Sequence, residues 1–63
     1  MNRVIKILME RDDMTESEAR ELLAEVRSEL EIAAAEEDYE LAEDIMYGDL
    51  GLEMDYIFDV LGF

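Results

Sequence analysis

The 63-residue chain has no cysteine, no histidine and no proline, and no lysine or arginine after Arg27. Each absence closes off something. Without cysteine there is neither a disulfide nor a thiolate metal site. Without histidine the commonest metal ligand and the commonest general base at neutral pH are both missing. No apolar run approaches the roughly 20 residues that span a bilayer. The opening Met1-Asn2-Arg3-Val4-Ile5-Lys6 leads into a periodic segment without a small-residue cleavage site, so the expected location is the cytoplasm, with no membrane partner.

What is present is acid. Residues 1–30 hold eight Asp or Glu and five Lys or Arg, whereas residues 31–63 hold eleven acids and no base, so the two parts contribute −3 and −11 to a net charge of −14. Such a surface repels phosphate and anionic lipid and attracts cationic clefts over a Debye length of about 8 Å. The charge therefore points to a protein partner with a basic groove and away from direct nucleic-acid binding. The five bases, Arg3, Lys6, Arg11, Arg20 and Arg27, are too dispersed among acids to form a nucleic-acid patch.

A hydrophobic content of 51% argues against disorder, because a chain stays unfolded only when high charge accompanies low hydrophobicity. A domain this small buries only about 60% of its unfolded surface. With disulfides and metal excluded as staples, self-association is the remaining stabiliser.

Val4, Ile5, Leu8 and Met9 recur at helical spacing, predicting an amphipathic helix within the first ten residues that stops at Arg11-Asp12-Asp13. Thr15-Glu16-Ser17-Glu18 then reads as a capping box, with Met14 and Ala19 in the positions of a hydrophobic staple. From it a stripe of Ala19, Leu22, Leu23, Val26, Leu30, Ala33 and Ala34 predicts a second helix of about five turns. A break near Glu37 is favoured by Asp38, a good N-cap residue, and by the new stripe Leu41, Ala42, Ile45 and Met46. The alternative is one continuous helix through residue 47. Gly51 is the better candidate of the next two glycines for a left-handed cap, and a last helix is predicted from about Met54 to Leu61. No strand-like alternation competes. The fold expected for residues 1–63 is a single all-α domain, a compact bundle of three to four helices that forms a homodimer.

Leu8-Met9-Glu10-Arg11-Asp12-Asp13-Met14-Thr15-Glu16-Ser17-Glu18-Ala19, with Leu50-Gly51-Leu52-Glu53-Met54-Asp55-Tyr56-Ile57, resembles a set of small acidic proteins encoded by phages and prophages of Gram-positive bacteria. The likeness implies Gly at the position of Asp13 and Pro at that of Met54. Both departures make local sense, since Asp tolerates a left-handed turn and Met54 stands at a first helical position. The set has no activity to carry over to individual residues. The resemblance implies a context in which small phage proteins inhibit host defence, as anti-CRISPR or anti-restriction factors do, some of them by imitating nucleic acid.

Catalysis is not expected and no cofactor is implied. Thr15 and Ser17 are accounted for by a helix start, Ser28 by an exposed helix face, and Tyr39, Tyr47 and Tyr56 by packing, which leaves no nucleophile paired with a base; for Tyr47 and Phe58 an interface role and a core role are equally open. Asp12-Asp13 lacks the alternating ligands of a calcium loop, so no metal site is expected. Residues four apart on a helix rise by about 6 Å, near the spacing of successive phosphates. Glu36, Glu40 and Asp44 therefore form one candidate phosphate-like row, and Glu18, Glu21, Glu25 and Glu29 a second. The expected partner-binding residues are Glu36, Glu37, Asp38, Glu40, Glu43, Asp44 and Asp49, which meet a host defence protein. The expected dimer interface is Tyr56, Ile57, Phe58, Val60, Leu61 and Phe63. The alternative function is a small homodimeric interaction or regulatory module whose working surface is that apolar C-terminal helix, with the charge serving solubility.

Overall fold

Asn2 starts the first helix: its side-chain oxygen accepts from the Val4 amide at 2.8 Å. In the computed structural model, which describes residues 2–62, α1 runs over Arg3–Arg11 and buries Val4, Ile5 and Leu8. It ends where the sequence places its end. The Asp12 amide bonds the Leu8 carbonyl oxygen at 3.1 Å, and Asp13 adopts a left-handed φ of 57°, a conformation that Asp tolerates better than most non-glycine residues.

α2, Glu16–Ala35, begins with both halves of the capping box: the Glu18 amide donates to the Thr15 hydroxyl at 3.1 Å, and the Thr15 amide donates to the Glu18 carboxylate at 2.9 Å. Ala19, Val26, Leu30 and Ala33 are buried, Leu22 and Leu23 are half-buried, and Met14 packs against the core. Ala34, assigned to the same stripe from sequence, is exposed, because it falls on the edge of that face.

The break between α2 and α3 is present, so the single long helix does not form. Glu36 caps α2, Glu37 turns left-handed at φ 55°, the Glu37 amide bonds Ala34 O at 3.1 Å, and the Asp38 amide bonds Ala33 O at 2.9 Å. These two reversed bonds are a Schellman motif, closed by Glu where glycine is usual. Asp38 then accepts from the Leu41 amide at 3.1 Å and opens α3, Tyr39–Ile45. One residue thus ends one helix and starts the next.

α3 continues into a π-helical turn, Met46–Leu50, which sequence reading did not anticipate. Gly51, at φ 64°, caps it, and the Leu52 amide reaches back to Met46 O at 3.2 Å. The last helix is also more irregular than expected. A 3-10 turn, Met54–Tyr56, precedes α4, Ile57–Leu61, which Gly62 closes at φ 89°.

α2 packs against α1, α3 and α4, so it is the spine of the bundle. The core is apolar throughout: Val4, Leu8, Val26, Leu30, Met46 and Leu50 are its largest fully buried side chains together with Val60, and among the described residues no polar side chain is buried. Each such burial contributes about 1.5–3 kcal/mol. The start of α1 is tied to α4 and the turn before it by Arg3, whose Nε lies 2.6 Å from Asp59 Oδ2 and whose guanidinium covers the Tyr56 ring at 4.8 Å, and by Asn2, which donates to Asp59 O at 2.6 Å. Among the described residues no helix is long and apolar enough to cross a membrane.

Candidate partner-binding face

The seven acids expected to meet a partner follow one another along one stretch of backbone. Glu36 and Glu37 lie on the α2–α3 connection, Asp38 caps α3, Glu40, Glu43 and Asp44 lie on α3, and Asp49 sits in the π-helical turn; all seven are exposed. On α3 the inward side carries Ala42, Ile45 and Met46. Helical spacing puts Glu40, Glu43, Asp44 and Tyr47 on the opposite side. The Schellman turn corrects one sequence expectation: Glu36 belongs to the end of α2, so Glu36, Glu40 and Asp44 are not one continuous helical row. Asp38 is also not freely available, because its carboxylate holds the Leu41 amide. The second row, Glu18, Glu21, Glu25 and Glu29, is continuous on α2 and exposed, although Glu18 is engaged in the capping box.

Cations reach little of this face. Arg3 pairs with Asp59, Arg11 with Asp12, Arg20 with Glu16 at 3.0 Å and Arg27 with Glu31 at 3.1 Å. Of the eleven acids from Glu31 onward, Glu31 and Asp59 therefore acquire a basic partner from the N-terminal half, and the other nine, including all seven face residues, make no ion pair among the described residues. Arg11 approaches the face from behind: its Nη2 donates to the Leu50 carbonyl oxygen at 2.6 Å, while Nε and Nη2 hold Asp12 at 2.8 and 2.7 Å. That fork holds the Asp12 carboxyl below its ordinary range.

Like charge is not only dispersed here but pressed together. Glu29 on α2 and Asp49 on the π-helical turn are close enough that Asp49, first through its side chain and then through its charge, raises the Glu29 carboxyl above its ordinary value, with Glu25 adding to the effect. Two carboxyls share a proton more readily than either holds its full charge beside the other. Glu18 moves the opposite way, because the Thr15 amide and then its hydroxyl donate to it.

Aromatic residues complete the face. Tyr39, which the sequence reading assigns to packing, and Tyr47, for which it leaves interface and core roles equally open, are each 70% exposed, and Ile32 on the adjoining end of α2 is 59% exposed. Their signal was available in the α3 pattern, whose buried stripe leaves both tyrosines outside it. The expected dimer residues divide. Val60 is 2% exposed inside the chain's own core, which removes it as a contact; Tyr56, Ile57 and Leu61 are half-buried against that core; Phe58 is 62% exposed; and Phe63 lies outside the described residues. α4 is short and spends its inward side on α2, so a helix that looks apolar all round in sequence presents little of that surface.

Among the described residues no group of three or more acids is placed to hold a metal ion. The arrangement suits recognition by charge and aromatic contact. Comparison with known proteins finds no matching family, no matching curated protein and no matching solved structure.

Proposed function

We propose that this chain is a phage-encoded, non-catalytic inhibitor that seats its acidic face, from Glu36 to Asp49, in the basic groove of a host nucleic-acid-handling defence protein and blocks entry of DNA or RNA. The observation that carries the reading is the set of nine carboxylates after Glu31 that no Lys or Arg among the described residues pairs with. Leaving them together costs stability through self-repulsion, and a cationic groove relieves that cost. Exposed Tyr39 and Tyr47 add support, since tyrosine is enriched among residues that anchor interfaces. The likeness to small acidic phage proteins supplies the defence context.

The test is capture of the partner from host lysate at low and high salt, followed by binding measurements on the purified pair. Affinity is expected to fall steeply as salt rises, and replacing Glu36, Glu40, Glu43 and Asp44 with Lys abolishes binding. Affinity indifferent to both salt and charge reversal overturns the proposal.

One observation favours a second reading. Phe58 stands 62% exposed on α4 beside half-buried Tyr56, Ile57 and Leu61, as it would in a homodimeric interaction module working through its C-terminal helix. In that case Phe58→Asp yields monomers and the acidic reversals leave function intact.

A further inference from the structure

A groove runs along the side of α2 that faces away from the acidic row. Its wider part, a cavity of about 450 Å³, lies between Arg20, Ala24, Arg27 and Ser28 of α2 on one side and Asn2 and Asp59 on the other. A second cavity of about 390 Å³ shares Arg27, Glu31 and Gly62 with the first and extends it to Ala34 and Leu61. From Arg20 to Ala34 the groove spans about 21 Å of helix, the length of four helical turns. Small residues pave it: Ala24, Ser28 and Ala34 are exposed, and Gly62 has Arg27 lying across it, 3.6 Å from where a Cβ would stand. Half-buried Leu23 and Leu61 supply apolar surface.

The electrostatics of this groove differ from those of the rest of the molecule. Arg3, Arg20 and Arg27 stand on or beside it, paired with Asp59, Glu16 and Glu31, so three positive charges meet three negative ones. The remaining sixteen acids and two bases carry the whole −14. Glu18, Glu21, Glu25 and Glu29 lie roughly 140° further round α2. A molecule with this net charge repels its own copies on most approaches, and the groove is the direction from which a second copy meets local neutrality.

We propose that the α2 groove is a self-association surface whose occupant is a second copy of this chain, packed two-fold symmetrically with the two α2 helices antiparallel. Crossing the helices between Glu25 and Val26 sets Arg20 against Glu31 of the second copy, and Ala24 against its Arg27. The contact is self-complementary, as a two-fold interface requires. Small side chains at Ala24 and Ser28 allow the axes to approach within the usual 8–10 Å. The exposed i,i+4 pairs of Arg20 with Glu16 and Arg27 with Glu31 hold those side chains only weakly, by a few tenths of a kcal/mol, so they re-pair across the contact at little cost. The acidic faces remain outward on both copies. This inference goes beyond the partner-binding reading and stands or falls separately from it.

Sedimentation velocity of the full chain, up to millimolar concentration, is the test. The expected result is a concentration-dependent species of twice the 7.3 kDa chain mass. Arg20→Glu or Glu31→Arg weakens it roughly tenfold or more, and the two together restore it. Ala24→Trp blocks it, and Phe58→Asp leaves it unchanged. All four sites are exposed, and circular dichroism confirms that each variant is folded. A monomer throughout the concentration range, a dimer insensitive to Arg20→Glu, a charge swap that fails to restore association, or a dimer lost in folded Phe58→Asp would overturn the proposal.

Discussion

Arg11 Nη2 donates to the Leu50 carbonyl oxygen at 2.6 Å, joining the last residue of α1 to the last residue of the π-helical turn across 39 positions of sequence. The carbonyl at the end of a helical turn has no partner within it, and this guanidinium supplies one while its other edge holds Asp12. The end of the π-helical turn is thereby fixed to the end of α1. Arg11→Met is expected to lower stability by about 1–2 kcal/mol in urea titration. Arg11→Lys recovers little, since an ammonium lacks the fork that spans both acceptors. Equal stability in all three proteins would show that the bond carries no weight.

Two glutamates predict opposite responses to pH. The Glu18 carboxyl is lowered in the folded chain by the Thr15 amide and hydroxyl. Its stabilising contribution is therefore present above the ordinary glutamate value and lost as pH falls through the lowered one. The Glu29 carboxyl is raised, first by its contact with Asp49. The folded chain then binds that proton more tightly than the unfolded chain does, and stability declines as pH rises through the raised value. Glu29→Gln is expected to raise the melting temperature at neutral pH and to remove that decline. Thr15→Ala costs about 1 kcal/mol at neutral pH and flattens the acid limb. Melting curves from acid to neutral pH separate the two effects.

Left-handed backbone at two non-glycine residues marks sites for stabilisation. Asp13 at φ 57° and Glu37 at φ 55° each end a helix. Asp13→Gly and Glu37→Gly are each expected to add roughly 0.5–1 kcal/mol, net of the extra chain entropy of glycine. Gly51→Ala moves the other way, because its φ of 64° is strained for alanine and the new Cβ sits 3.4 Å from Arg11 Nη1. Denaturant midpoints of the three variants provide the check.

Leu30 is 1% exposed in the middle of the spine helix. Truncation to alanine costs about 2–5 kcal/mol, a large share of the stability of so small a domain. Leu30→Ala is expected to lose cooperative thermal unfolding, whereas Ile32→Ala, altering a side chain that is 59% exposed two residues away, leaves it nearly intact.

The helix-rich architecture was legible because its starts and stops are local chemistry. Thr15 with Glu18, Asp38 with Leu41, and Gly51 each satisfy an end-of-helix requirement through residues a few positions apart. The π-helical turn was not legible, since no side chain in Met46–Leu50 encodes the extra residue and its register is held from outside by Arg11. Exposure was harder still. Whether Tyr39, Tyr47 and Val60 face solvent or core depends on which side of a short helix meets α2, and a seven- or five-residue helix carries too few apolar positions to fix that side from sequence. The acids of the candidate face were legible as charge, but the interruption between Glu36 and Glu40 and the Glu29–Asp49 contact arise from the turn geometry.

Because the amide of Asp38 closes α2 and its carboxylate opens α3, the two helices lack independent boundaries. Fraying at one end withdraws the anchor of the other, so the hairpin opens as a cooperative unit. Hydrogen exchange at Asp38 and Leu41 should then proceed with matched opening free energies. A partner that clamps either helix would slow exchange in both.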